Sequence, residues 1–397
     1  MNIIKKILKL LKKHGFLNGI RIILQKFKNI SGLQKKDIFS FYSFLSFPKV
    51  EAKITKLEGK KKLLWFIPDF GIGSGGHLNI FRMISNLEKL GIYSDLVICG
   101  ESQWINEKIA KETISKNFFP LKCNIFFINT FEDIQKLTKY KIAFATSWQS
   151  AYYVNAFGNC MRKAYFVQDF EPYFYPLGSN YAFAENTYKF GFDGVTAGSW
   201  LSNKLFNEYG MNCIDFSFSY ENDLYYKKVK EDNTKRVFFY ARPPTDRRGF
   251  ELGILALNEL YKRDNNIEII LAGWDVSEYE IPFKYKSLGV VDIKDLNNIY
   301  SQCTVALVLS FTNLSLLPLE LLASGCSVVI NEGENNSWID SDKKLMIYTQ
   351  PDVENIVSTI LNELDNNSNI DWKYIDNYLI NSSWEIESKK VYDWIIQ

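Results

Sequence analysis

The sequence predicts an α/β protein made of two successive parallel-sheet domains, and three observations carry that expectation. At 397 residues the chain exceeds what one hydrophobic core usually supports, so two domains are the default. Short apolar runs alternate with amphipathic stretches, the pattern of right-handed βαβ units. That alternation stops at a polar stretch, 220–234, and then restarts.

Taken in order, buried strands are expected at Leu63–Ile67, Ser94–Cys99, Asn124–Ile128, Ile142–Ala145, Ala164–Val167 and Gly194–Ala197. Each is a short apolar run of the kind covered on both faces. Leu78–Leu90 is the clearest helix between them. After the polar stretch come strands at Arg236–Tyr240, Glu268–Ala272, Val305–Leu309, Val328–Ile330 and Leu345–Tyr348, with helices at Phe250–Lys262 and Leu319–Ser324. The expected domains are 61–220 and 221–375, flanked by a helical extension over 1–60 and a C-terminal helix over 376–397 that packs back on the first domain.

Charge is distributed unevenly. Met1 to Lys36 holds ten Lys or Arg and no Asp or Glu, which leaves 37 basic side chains against 45 acidic ones in the rest. A mildly acidic body excludes a nucleic-acid binder, whose positive charge should cover the binding face. Ile3, Ile4, Ile7, Leu8 and Leu11 fall at helical spacing, with Lys5, Lys6, Lys9, Lys12 and Lys13 opposite them. Such a helix lies in a membrane interface, so residues 1–30 are expected to meet an anionic membrane surface. The competing reading packs the same apolar stripe on the protein's own body. No uninterrupted apolar run approaches 18 residues and no secretory signal is visible, which points to a cytoplasmic protein peripheral on the membrane's inner face.

Composition excludes other chemistry. His14 and His77 are the only histidines, too few for a histidine-based zinc site. Six cysteines without a C-x-x-C pair read as reduced, buried thiols. Aromatic residues make up 16% of the chain, and most of them must be core.

Three constellations carry chemistry. Pro68-Asp69-Phe70-Gly71-Ile72-Gly73-Ser74-Gly75-Gly76-His77 follows the first strand and opens a helix, where backbone N–H groups approach an anion. Its spacing is not that of a dinucleotide fingerprint, which disfavours a dehydrogenase. Tyr240-Ala241-Arg242-Pro243-Pro244-Thr245-Asp246-Arg247-Arg248-Gly249 places three guanidinium forks at a strand's C-terminal end, suited to a diphosphate. A solvated basic turn is the plainer alternative. Ser310-Phe311-Thr312-Asn313-Leu314-Ser315-Leu316-Leu317-Pro318-Leu319-Glu320 turns from another strand into a helix. Its N–H groups at Ser315 and Leu316 can hold a phosphate, and Glu320 can accept from a ribose hydroxyl.

Together the three resemble the pattern of glycosyltransferase family 4 over about residues 62–335. Within it the chain resembles WsaF-like rhamnosyltransferases, on Gly73–His77, Phe166-Val167-Gln168-Asp169-Phe170-Glu171-Pro172, Ala184–Tyr188, Tyr240–Pro243 and Pro318-Leu319-Glu320. The resemblance implies a GT-B fold, two Rossmann-like domains facing a central cleft. It implies dTDP-L-rhamnose as donor, a glycan or lipid-linked acceptor, retention of configuration and no required cofactor. Gly75, Gly76, His77, Arg242, Arg247, Arg248, Thr312, Ser315, Leu316 and Glu320 are then the donor-binding candidates, with Asp169, Glu171 and Arg242 as catalytic candidates. One departure stands out. The family's usual Glu, eight residues before Glu320, is here Thr312. Its loss fits a 6-deoxy donor and equally an inactive enzyme.

The Asp169-x-Glu171 and Asp340-x-Asp342 pairs invite a metal reading, but paired carboxylates are common on turns and the arginines already supply cations, so no metal is expected. A nucleotide-sugar epimerase of the same fold and a non-catalytic sugar-nucleotide-binding subunit are the rival functions.

Overall fold

The computed structural model describes residues 37–56, 62–365 and 370–397. The basic segment and its expected membrane helix lie outside the described residues. The chain forms two compact units, 1–163 and 164–397.

The first sheet runs β1 (Lys62–Ile67), β2 (Tyr93–Cys99), β3 (Ile125–Ile128), β4 (Tyr140–Ala145), β5 (Cys160–Val167), β6 (Asp193–Ala197) and β7 (Cys213–Phe216), in spatial order 3-2-1-4-5-6-7. The second runs β8 (Arg236–Tyr240), β9 (Glu268–Ala272), β10 (Lys286–Gly289), β11 (Val305–Val308), β12 (Ser327–Asn331) and β13 (Ile347–Thr349), in order 10-9-8-11-12-13. Neighbouring strands pair in parallel, as β1 does with both β2 and β4, and β8 with both β9 and β11. In each sheet the order reverses beside its first strand. In open α/β sheets ligands bind in the crevice outside the strand C-termini at such a reversal.

The strands are apolar because helices cover both faces. Leu64, Trp65, Phe66 and Ile67 of β1 are fully buried, with the Trp65 ring stacked on Phe144 at 4.3 Å between centroids. On one face of the second sheet Val237, Phe239, Leu271, Leu307 and Val329 pack against Leu257 and Leu260 of the helix Phe250–Arg263 and Ile356 and Ile360 of Val353–Asp365. Each such side chain contributes roughly 1.5–3 kcal/mol by leaving water.

Two strands escape the sequence reading, β7 and β10. Both sit at sheet edges, where one neighbour suffices and polar residues are tolerated; their sequences are Cys-Ile-Asp-Phe and Lys-Ser-Leu-Gly. The last part of the chain is two helices, Trp372–Ile380 and Trp384–Ile396, not one. The second lies against β7, where the Glu387 carboxylate accepts the Ser217 N–H at 2.7 Å. Asp340 is no solvated turn residue either. It is 3% exposed and accepts the N–H groups of Lys344, Leu345 and Met346, which folds its loop.

Candidate active site

The reversal in the second sheet lies between β8 and β11, and the arginine loop and the Ser310–Glu320 turn follow those two strands directly. Three contacts fix the arginine loop. Thr245 N–H donates to the Arg242 carbonyl at 3.0 Å, and Arg248 N–H to the Thr245 carbonyl at 2.8 Å. Gly249 ends the loop at φ +58°, where a Cβ would stand 2.9 Å from the Phe311 ring and 3.0 Å from Leu309. Glycine is required there on both counts. Phe311 N–H then donates to the Arg247 carbonyl at 3.0 Å and ties the two loops together.

The three arginines have different surroundings. Arg242 Nη1 donates to the Tyr240 hydroxyl at 2.8 Å. Arg248 Nη1 donates to Ser310 Oγ at 2.6 Å, and that hydroxyl donates to the Asn313 carbonyl at 2.8 Å. Burial pushes Arg248 down to about 10, with Asp169 pulling it back up, so it stays charged at neutral pH. Arg247 spreads its guanidinium over the Phe174 ring, 4.0 Å from the centroid, and its Nε lies 3.6 Å from Asp169 Oδ2, too long for a hydrogen bond.

Asp169 follows β5, and its carboxylate reaches the turn after β11. Oδ2 accepts the Thr312 hydroxyl at 2.8 Å, and Oδ1 accepts the N–H of Asn313 at 2.8 Å and of Phe170 at 2.9 Å. Burial raises its pKa, while Arg247, Arg248 and those donors oppose the rise. Every donor on it favours the ionised form.

Asn313 completes the link. Its Nδ2 donates to the carbonyls of Gln168 (2.9 Å) and Ala197 (2.7 Å), at the ends of β5 and β6. Its Oδ1 accepts from Leu314 N–H and from the Trp338 indole, both at 2.9 Å. The ends of two first-sheet strands and the turn after β11 are thus stitched by one side chain that is 1% exposed.

The Glu171 side chain, two residues from Asp169, makes its contact elsewhere, although the Tyr188 hydroxyl bridges the Glu171 N–H and the Asp169 carbonyl. It is buried, accepts the Tyr165 hydroxyl at 2.8 Å, and its N–H donates to the Tyr188 hydroxyl. Glu320 stands in the first turn of the helix Leu317–Ala323, which begins two residues earlier than its sequence suggests and places Pro318 in that turn. Ser315 and Leu316 form the partly exposed turn before it; the Leu316 carbonyl accepts from Leu319 and Glu320 N–H. The charge of Glu320, after burial, helps push the Tyr300 phenol well up.

In the first unit the reversal lies between β1 and β4, again beside a motif loop. Asp69 anchors it by accepting from Ser102 Oγ at 2.7 Å and Gln103 N–H at 3.2 Å. Ser74 caps the helix Gly75–Lys89. His77 Nε2 lies 3.3 Å from the Pro68 carbonyl, which can only accept, so Nε2 carries the proton. Nδ1, 2.8 Å from Ser74 Oγ, then accepts. Burial agrees with a neutral ring, lowering its pKa to about 4.

The structure therefore brings Asp169, Arg247, Arg248 and Thr312 together, joined by Ser310, Phe174 and Trp338, which sequence reasoning did not select. Asn313 sat inside a quoted motif, and an amide in a strand-to-helix turn was its only signal. Nothing marked Trp338. Among the described residues no cluster of three or more His, Cys, Asp or Glu could hold a metal ion.

Solved structures place the fold. A mutant S. aureus TarM in complex with Fondaparinux, alpha-GlcNAc-glycerol and UDP matches with TM-score 0.65 at 8% identity, over 85% of this chain and 99% of that one. Sucrose-phosphate synthase from Thermosynechococcus elongatus matches with TM-score 0.64 at 11% identity, over 84% and 98%. Anabaena HepE in complex with UDP and glucose matches with TM-score 0.62 at 13% identity, over 85% and 98%. The architecture is that of the GT-B glycosyltransferases. Family models for the N-terminal domain of WsaF, over residues 114–197, and for its C-terminal domain, over 235–361, both match, and the chain belongs to the WsaF family. The O-antigen biosynthesis protein RfbC of Myxococcus xanthus is 30% identical over 309 residues, 76% of this chain; the chain spans 24% of that longer relative.

Proposed function

We propose that this chain transfers a sugar from a nucleoside-diphosphate donor to a glycan or lipid-linked acceptor in surface-polysaccharide assembly, with dTDP-L-rhamnose as the donor. The observation that carries the reading is the second sheet's reversal point, flanked by an arginine loop on one side and the Ser315–Glu320 turn on the other. Membership of the WsaF family and the name of the Myxococcus relative support the pathway. UDP and glucose in the Anabaena structure support a sugar-nucleotide donor for the fold.

In this reading Arg242, with Arg247 and Arg248 behind it, neutralises charge growing on the leaving diphosphate. The N–H groups at Ser315 and Leu316 face a phosphate, and Glu320 accepts from the ribose. The bond from anomeric carbon to phosphate oxygen breaks as the acceptor oxygen bonds to that carbon. The acceptor proton passes to the departing phosphate oxygen, with configuration retained. Asp169 positions the Thr312–Asn313 turn, and Glu171 holds the segment after β5. Gly75, Gly76 and His77 form a second anion-facing helix start, and residues 1–30 hold the enzyme on the cytoplasmic face of an anionic membrane.

Arg242→Ala should lower turnover at least about a hundredfold, the scale of losing one preorganised charge-stabilising donor. Sugar transfer at the wild-type rate by that variant would remove the diphosphate assignment.

A further inference from the structure

The three arginines of the loop after β8 differ in what they already hold. Arg242 Nη1 donates to the Tyr240 hydroxyl and Arg248 Nη1 to Ser310 Oγ. The Arg247 guanidinium makes no hydrogen bond to any described residue. Its Nε is buried without an acceptor in range, since Asp169 Oδ2 stands off at 3.6 Å. Its support is Phe174, whose ring centroid lies 4.0 Å from the guanidinium carbon. The Arg247 side chain keeps 29% of its surface open, so a ligand can reach it.

Phe174 is itself held from behind. It closes the short turn Glu171–Phe174, where Tyr173 N–H donates to the Phe170 carbonyl at 3.0 Å and Tyr175 N–H to the Pro172 carbonyl at 3.2 Å. The start of that turn is fixed in the core. Phe170 is 1% exposed and stacks on Tyr188 at 5.4 Å between centroids, and the buried Glu171 carboxylate accepts the Tyr165 hydroxyl. Lys204 Nζ lies 4.5 Å from the same Phe170 ring. Phe174 by contrast is 36% exposed, so little of the core depends on it.

An arginine loses rotamer freedom when a ligand immobilises it, and one held in place beforehand loses less. A carboxylate at hydrogen-bond distance would hold the guanidinium but take up its N–H donors. An aromatic face attracts the same cation and leaves those donors uncommitted. We infer that Phe174 is a positioning residue, which holds Arg247 ready for the diphosphate of the donor. The inference rests on the donor reading above and assigns a role to a residue outside the arginine loop.

The test measures dTDP affinity by isothermal titration of the full chain. Wild type, Phe174→Leu, Phe174→Tyr, Arg247→Gln and the Phe174→Leu/Arg247→Gln double variant are compared, with Arg242→Ala as the control for the donor site. Phe174→Leu should weaken dTDP about three- to tenfold, the worth of one cation–π contact partly out of water. Phe174→Tyr keeps a ring that attracts the cation and should stay within about twofold of wild type. In the Arg247→Gln background Phe174→Leu should have almost no further effect, because the cation it supports is gone. A ring that merely braced the fold would lower affinity equally in both backgrounds. That result, or wild-type affinity in Phe174→Leu, would overturn the role. Binding of dTDP that disappears in Arg242→Ala and ignores Phe174→Leu leaves the donor site standing and removes the role of Phe174 alone. A wild-type protein that binds none of dTDP, UDP, GDP and ADP overturns both.

Discussion

Placing at position 312 the carboxylate that the resemblance to glycosyltransferase family 4 implies should damage this protein. Thr312 is 1% exposed and its hydroxyl donates to Asp169 at 2.8 Å, so Thr312→Glu sets a second carboxylate against a buried one with no route to water. Two unit charges about 4 Å apart at an effective dielectric of about 20 repel by about 4 kcal/mol. Escape by protonation costs much the same. Holding a carboxyl of ordinary pKa near 4.3 protonated at pH 7 takes about 3.7 kcal/mol. Arg247, 3.6 Å from Asp169, offsets part of either cost. Thr312→Val is the control, since it removes only the hydroxyl and loses about 1.5–3 kcal/mol, the range for a hydrogen bond to a charged group. Urea unfolding followed by tryptophan fluorescence should rank wild type, then Thr312→Val, then Thr312→Glu at pH 7. The gap between the two variants should narrow below about pH 5, because an acid forced to share a site with another gains stability as the proton binds. A Thr312→Glu protein within about 1 kcal/mol of Thr312→Val at pH 7 would refute the argument, since ~4 kcal/mol of repulsion could not hide there.

His77 sets a pH dependence. Its folded pKa of about 4 lies below the unfolded value near 6.5, so the unfolded chain binds the extra proton between them. The stability of a neutral His77 is present above about pH 6.5 and falls by up to about 1.4 kcal/mol per unit as pH drops toward 4. Melting curves across that range should be flatter for His77→Gln than for wild type, and parallel curves would contradict the neutral ring. Gly253→Ala tests packing over the second sheet: its Cβ would fall 2.1 Å from Phe239 Cζ, in a ring that is 1% exposed. Overpacking costs about 1–3 kcal/mol and should outweigh the helix-propensity gain of alanine, about 1 kcal/mol; a stabilised variant in urea would show that the ring moves freely.

What could be read from the sequence depended on how local the signal was. Runs such as Leu63–Ile67 and Val305–Val308 are buried on both faces, so their apolar composition alone announced parallel strands. The edge strands β7 and β10 carried no such signal, because half their surroundings are polar. The arginine and Glu320 loops were visible because turn chemistry is written in neighbouring residues. The partner of Thr312 was not, since Asp169 lies 143 residues away and nothing local specifies that contact. The same holds for Trp338, whose indole donates to Asn313 from the loop after β12. The missing family glutamate therefore looked like a simple loss, whereas the structure shows its position occupied by a hydroxyl that serves another carboxylate.

A nucleoside-diphosphate site on the second sheet is tested most directly by a thermal-shift panel of the purified chain with dTDP, UDP, GDP and ADP, each with and without Mg²⁺, repeated on Arg242→Ala. A ligand present at 100 times its Kd stabilises the folded state by about 2.7 kcal/mol, well within reach of the assay. Stabilisation by dTDP without metal, and its loss in the variant, is the expected result. Stabilisation by none of the four, or an equal shift in Arg242→Ala, would contradict a nucleoside-diphosphate site at the second sheet's reversal point.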